Sequence, residues 1–388
     1  MKKRMRFWIA GLAAAALALQ TAAGETAVPV LAGDLEVSAA ATVVMEADSG
    51  RVLFAQNPDT VLPNASTTKM MTALIALEQP DLDEPFTVDG EALRVEGTTM
   101  GLQPGDTVTL RQLAAGMLLP SGNDAAAAAA VRIAGSEEAF VREMNRRAEA
   151  MGLTGTHYAN PHGLDAPGHG STARDLARLA AAALENEDFR ALCGLEELRL
   201  AYGNPPYNRT LYTTNALLER FPEAIGVKTG YTDGAGFCLV SAAERDGTTL
   251  IIATLDGEDV IDTHIRLYEH FFPLLARVDL SGYTDGLTVP VVGGAEGEVS
   301  LLPAAEPRAA LLEREYPELV REVEAPRFLY APVEEGEAVG RLRLLSGGQT
   351  VYETALVAGE AVEAVRQEGG GPLGFLQGIF SWNRTLRR

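Results

Sequence analysis

Three short stretches bring together side chains that can do chemistry. Residues 64–74 (NASTTKMMTAL) place Ser66 three positions before Lys69, residues 121–123 read Ser-Gly-Asn, and residues 228–230 read Lys-Thr-Gly. The lysines stand out because the chain hardly uses them: of its 32 basic residues, all are arginine except Lys2, Lys3, Lys69 and Lys228. A guanidinium keeps its proton in a protein, whereas an ammonium releases it when burial or a neighbouring cation lowers its pKa. A hydroxyl becomes a nucleophile when a base lies within hydrogen-bond reach; acyl transfer also needs donors for an oxyanion and a proton for the leaving group. Ser66 and Lys69 supply a hydroxyl and an amine one helical turn apart. Ser121 and Asn123 add a second hydroxyl and an amide, and Lys228 and Thr229 a cation beside a hydroxyl. Each motif alone arises readily by chance, and their conjunction is far more specific.

These residues must be positioned by surrounding elements. Residues 41–56 carry β-branched and apolar residues on both sides of Asp48-Ser49-Gly50, which predicts a hairpin. Apolar residues at three- and four-residue spacings predict a helix over 69–78, with Ser66 at its start and on the face of Lys69. Helices are expected over 110–119, over the Ala-rich stretch 124–151 and over 172–185, with residues 120–123 as an exposed break. Residues 237–255 predict two strands around Asp246-Gly247, preceded or begun by Lys228-Thr229-Gly230. Beyond Pro273 the chain turns to short β-like runs with Gly-rich turns.

The N-terminus reads as a secretory signal over 1–23, with a basic n-region (Lys2, Lys3, Arg4, Arg6), an apolar stretch and small residues at 21–23. A linker over 24–37 follows. A net charge of −21 argues against binding a phosphate backbone, so nucleic acid is set aside as a partner. Cys193 and Cys238 are read as buried small hydrophobes, with a bridge between them left open. At the far end, Gly369-Gly370-Gly371 reads as a linker. Leu373, Leu376, Ile379 and Phe380 with Arg384, Arg387 and Arg388 then predict an amphipathic helix lying on a membrane surface.

With these motifs in order, residues 38–275 resemble the low-molecular-mass penicillin-binding proteins that are serine-type D-alanyl-D-alanine carboxypeptidases. The likeness rests on residues 64–74, 118–125 (LLPSGNDA), 160–164 (NPHGL), 171–175 (STARD) and 226–236 (GVKTGYTDGAG). It implies an α/β (α+β) catalytic domain of the serine β-lactamase and penicillin-binding-protein type over 38–276. A smaller all-β domain over 277–366 and the Gly linker with its anchoring helix over 367–388 would follow. The resemblance further implies that Ser66 attacks the bond between the last two D-alanines of a peptidoglycan pentapeptide, with Lys69 as base. Ser121 would relay a proton and Asn123 hold the substrate amide. Lys228, Thr229, Gly230 and Tyr231 would line the substrate site, with the Ser66 and Tyr231 backbone N–H groups as oxyanion donors. β-Lactam antibiotics would acylate Ser66, no cofactor or metal is called for, and the protein would act outside the cytoplasmic membrane. At one point the chain departs from the family pattern. Members often carry an Arg 30 to 40 residues after the Lys-Thr-Gly lysine for the substrate's terminal carboxylate, but residues 257–264 here are acidic, leaving Arg245 and Arg266 as candidates.

Two other chemistries and a non-catalytic role compete with this reading. His157, His162 and His169 raise a zinc carboxypeptidase, but no H-E-x-x-H helix is present. A serine β-lactamase is the closer alternative, opposed by the second domain and by Gly122 where class A enzymes carry Asp. A vestigial cell-wall binding protein is opposed by the intact serines and lysines.

Overall fold

The computed structural model describes residue 35 and residues 37–365. The expected signal segment and terminal amphipathic helix lie outside these residues. Among the described residues no helix is long and apolar enough to cross a membrane. The chain divides into two compact units, residues up to 277 with 310–313, and residues 278–309 with 314 onward.

The first unit is built on a five-stranded antiparallel sheet. Its strands are β1 (Ala39–Glu46), β2 (Val52–Gln56), β3 (Ala224–Thr232), β4 (Gly236–Arg245) and β5 (Thr248–Gly257), in the spatial order β2-β1-β5-β4-β3. The Asp246-Gly247 turn joins β4 to β5 with both residues at positive φ, 51° and 75°, which matches the right-handed twist of a tight hairpin. Both faces of the sheet are covered, so the central strands are apolar on both sides. Ala41, Val43, Val240, Ala242, Ile251 and Ala253 face a helical layer, while Val44, Ala243, Leu250 and Ile252 pack under the helix Val260–Phe271.

The helical layer contains α1 (Lys69–Leu77), α2 (Leu110–Leu118), α3 (Asn123–Ala134), α4 (Glu137–Ala150) and α5 (Ala173–Leu184). Every residue of α1 is buried, so it is the layer's central helix and its apolar pattern wraps beyond one face. The single helix expected over 124–151 is two helices. Gly135 closes α3 in the left-handed conformation at φ +80°, and Ser136 caps α4 by accepting the Ala139 N–H.

The second unit is all β. Its six-stranded sheet runs Val320–Glu324, Ala338–Ser346, Gln349–Ala358, Glu298–Pro303, Thr288–Val292, Leu329–Tyr330. Strict alternation buries Val289 and Val291 from one strand and Val299 and Leu301 from its neighbour, so one face carries the core. An α+β domain followed by a smaller all-β one is the architecture the sequence predicts.

Candidate active site

Ser66 lies on a 3-10 turn, Ala65–Thr68, that runs directly into α1. Ala65 at φ +44° starts the turn, and Asn64 clamps it by donating to Thr67 Oγ1 (3.1 Å) and Thr68 Oγ1 (3.0 Å). Ala65, Thr67, Thr68 and Lys69 are buried, whereas Ser66 keeps partial access to solvent. One turn on, Lys69 Nζ lies 2.8 Å from Ser66 Oγ and donates to the His162 carbonyl at 2.7 Å. That carbonyl belongs to the Asn160–Leu164 loop, which Asn160 folds by accepting the Gly163 N–H (2.7 Å) and donating to Leu164 O (2.8 Å). Thr72 of α1 donates to Pro161 O at 2.6 Å, fixing the loop to the same helix as Lys69. Gly163 sits at φ +92°, and a Cβ there would lie 1.9 Å from Ala65 O, so only glycine fits.

Ser121, Gly122 and Asn123 link α2 to α3. Ser121 adopts a left-handed backbone at φ +64°, a conformation that costs a non-glycine residue about 1 kcal/mol or more. Surrounding bonds hold it there: Thr98 Oγ1 donates to Ser121 O (2.6 Å), and the Gly122 N–H donates to Gly116 O (2.8 Å). A Cβ on Gly122 would meet Asp124 Oδ1 at 2.7 Å and Met100 N at 2.8 Å, which explains the bare middle position. Asn123 donates through Nδ2 to Glu96 O (2.6 Å), while its buried Oδ1 has no partner among the described residues. A buried acceptor without a donor is costly and marks a place where a ligand N–H fits. Asp124 accepts from the N–H groups of Met100 (2.8 Å), Gly101 (3.0 Å) and Leu102 (3.0 Å), tying that loop to the start of α3.

Lys228, Thr229, Gly230 and Tyr231 lie on β3, the edge strand of the sheet, the kind of position to which an extended peptide can add. The Lys-Thr-Gly segment therefore has a strand of its own before the expected β4–β5 hairpin. A Cβ on Gly230 would lie 3.0 Å from both Ala65 Cβ and the Ser66 backbone nitrogen, so a bare glycine lets the strand approach the serine turn. Lys228, 1% exposed, donates to Thr229 O at 3.0 Å. Thr229 Oγ1 is 2.7 Å from Thr214 Oγ1, and the exposed Tyr231 ring packs against Phe237 at a tilt of 42°, centroids 4.7 Å apart.

The electrostatics of the two lysines answer the question their scarcity raises. Burial pushes Lys69 well below the ordinary range for an ammonium, Lys228 pushes it further, and Asp124 opposes both. Lys228 is lowered to about 7 by its burial. A neutral Lys69 has one lone pair to accept the Ser66 hydroxyl proton while its own N–H groups satisfy His162 O.

The remaining candidates take other places. His169 accepts the Ala159 N–H through Nδ1 (3.0 Å) and so presents Nε2–H to Thr68 Oγ1 (2.8 Å), bracing the serine turn. Among the described residues no three His, Cys, Asp or Glu side chains are arranged to hold a metal ion. Arg245 pairs with Glu223 (2.9 Å) over the Phe272 ring, and Arg266 donates to Thr263 Oγ1 (3.1 Å). Cys193 and Cys238 are free, buried thiols raised by burial to about 12 and 11. The sequence does not single out the His162 carbonyl, Asp124 or Thr214, although the first two lie within the motif-like stretches 160–164 and 118–125.

Residues 25–259 match the family model described as D-alanyl-D-alanine carboxypeptidase, and residues 283–364 match that of the penicillin-binding protein 5 C-terminal domain. The D-alanyl-D-alanine carboxypeptidase DacF of Bacillus subtilis is 30% identical over 337 residues, covering 84% of this chain and 86% of the relative. DacC of Escherichia coli, of the same description, is 31% identical over 363 residues, 86% of each chain. Among solved structures, penicillin binding protein 5 from Haemophilus influenzae superposes with a TM-score of 0.68 at 26% identity, over 84% of this chain and 98% of that one. By motif, fold and similarity over more than four-fifths of its length, the chain belongs to the S11 peptidase family of D-alanyl-D-alanine carboxypeptidases.

Proposed function

We propose that the protein is an exported serine-type D-Ala-D-Ala carboxypeptidase that trims the terminal D-alanine from peptidoglycan stem peptides. The reading is carried by the buried, proton-poor Lys69 held 2.8 Å from the half-exposed Ser66 hydroxyl. Ser66 Oγ attacks the carbonyl carbon between the two D-alanines as its proton passes to Lys69 Nζ. The oxyanion of the tetrahedral intermediate takes hydrogen bonds from the Ser66 and Tyr231 backbone N–H groups; such a donor is typically worth about 3 kcal/mol of barrier. The C–N bond breaks as a proton from Lys69, relayed through Ser121, reaches the departing amine. Water, deprotonated by Lys69, then hydrolyses the ester and restores the Ser66 hydroxyl. Asn123 Oδ1 accepts the substrate's amide N–H, Lys228 keeps Lys69 neutral, and Thr229 meets the terminal carboxylate.

A penicillin places a strained amide where the scissile bond would lie, and its leaving group stays tethered, so the same serine forms a long-lived ester. Export to the outer face of the cytoplasmic membrane is supported by the basic and apolar N-terminal segment, and attachment there by the amphipathic pattern of residues 372–388. Two measurements test the reading: release of free D-alanine from a peptide ending in D-Ala-D-Ala, and mass spectrometry of penicillin-labelled digest. A label on any peptide lacking Ser66 would overturn the assignment.

A further inference from the structure

The terminal carboxylate of the substrate carries a full negative charge, and the arginine that the family pattern leads one to expect does not reach it. Arg245 is engaged by Glu223 and Phe272, and Arg266 by Thr263. Among the described residues no arginine hydrogen-bonds to Thr229, whose side-chain partner is the Thr214 hydroxyl at 2.7 Å. Thr214 lies on the segment that follows the strand Tyr207–Tyr212, and its N–H donates to Leu119 O (3.1 Å), just before the Ser121 turn. It is thus anchored both to β3 and to the loop that carries Ser121 and Asn123. Its side chain is exposed beside the half-buried Thr229 and the buried Lys228.

We infer that Thr214 and Thr229 together form a two-hydroxyl seat for the substrate's terminal carboxylate, over the field of Lys228, in place of a guanidinium; the inference rests on the carboxypeptidase reading. Two hydroxyls 2.7 Å apart share one hydrogen between them and leave the second free to donate outward. A carboxylate only accepts, so it takes that free hydrogen, and the inner bond polarises the outer one. With Thr229 alone, the outward hydrogen would lack the inner bond that polarises it and the second hydroxyl that holds it in place. The seat also differs in kind from an arginine fork: hydroxyls accept as well as donate, so a terminal amide, which has N–H groups to give, is disfavoured less severely than by a guanidinium.

Binding to the Ser66→Ala protein tests this without turnover. Calorimetry compares an N-acetylated peptide ending in D-Ala-D-Ala with its C-terminal methyl ester. The free acid should bind roughly tenfold more tightly, and adding Thr214→Val should bring that preference to within about twofold while leaving ester affinity unchanged. Thr214→Ser should restore the preference, since it keeps the hydroxyl. No preference in Ser66→Ala itself, an unchanged preference in Thr214→Val, or equal weakening of both ligands would overturn the seat. A wild-type protein that binds these peptides but releases no D-alanine would instead sink the carboxypeptidase reading and leave the seat standing.

Discussion

The first unit sets a hydroxyl beside a nitrogen base in two regions, and the one that looks more like a hydrolase site cannot be one. Under the helix Val260–Phe271, Ser241 Oγ lies 2.7 Å from His264 Nδ1 and 2.7 Å from the Tyr268 hydroxyl, and His264 Nε2 lies 2.9 Å from Thr254 Oγ1. All four side chains are buried, and burial lowers His264 to about 3. Every polar atom there is satisfied by another, and no substrate can enter. Ser66 and Lys69 differ on each count. The serine is half exposed, the base is flanked by a glycine-bared edge strand, and Asn123 Oδ1 is left without a donor. A reactive site is distinguished from a structural network less by residue types than by unspent hydrogen-bonding capacity facing an opening.

The sharpest way to break this comparison is to remove each serine in turn. Ser66→Ala should cut the rate of penicillin acylation to below about a thousandth of wild type with little change in stability. Ser241→Ala should leave acylation within about twofold and destabilise the fold by about 1 to 3 kcal/mol, because it strands His264 and Tyr268 without their shared partner. Acylation kinetics and urea titrations on both variants decide it; comparable acylation losses would erase the distinction.

Next in size is the pair of lysines. Lys69→Arg keeps the charge but removes the proton site, and should slow acylation by about 10² to 10⁴-fold, the usual worth of general-base assistance. Lys228→Arg should cost about tenfold or less, because that role asks for positive charge near Lys69 rather than for a lone pair. Retention of more than about a tenth of the wild-type rate in Lys69→Arg would remove the general base from the mechanism.

The distance between sequence and structure is instructive here. The side chains proposed to react were legible because Ser, Lys and Asn carry their chemistry in their types, and a lysine in a chain that otherwise uses arginine is conspicuous. The hairpin at Asp246-Gly247 was legible because its φ angles select those residues. The partner that orients Lys69 was not, since it is the His162 carbonyl, and any residue supplies a carbonyl. The break at Gly135-Ser136 was hidden because a glycine within an Ala-rich helix reads as tolerated until the left-handed cap is seen. Thr214 could not be linked to Thr229 because their contact depends on how the Tyr207–Tyr212 strand leads back beside β3.

Gly163 offers a more moderate test of how the open site is held. Ala at this position would clash with Ala65 O and strain a backbone at φ +92°, moving the serine turn away from the His162 carbonyl. Acylation should fall about tenfold or more, by misplacement of Ser66 against Lys69 rather than by loss of either group. A circular-dichroism spectrum like that of wild type with an unchanged rate would show that the loop does not position the turn.

The smallest expected effect concerns the sealed network and its response to acid. His264 is held at about 3 in the folded chain against an ordinary value of 6.5, so the unfolded chain takes up a proton that the folded one refuses. Its contribution to stability is full above pH 6.5 and is lost progressively as pH falls toward 3. His162 and His169, lowered to about 4 by burial, act with the same sign over the upper part of that window. Each such group steepens the loss by at most about 1.4 kcal/mol per pH unit. His264→Gln, which keeps a polar side chain without a titrating nitrogen, should therefore lower stability at pH 7.5 yet flatten its decline between pH 6.5 and 4.5 by about one group's share. Chemical denaturation at four or five pH values measures both. If the variant's stability declined in parallel with wild type, His264 would not be the neutral, sealed counterpart of Lys69 that the comparison requires.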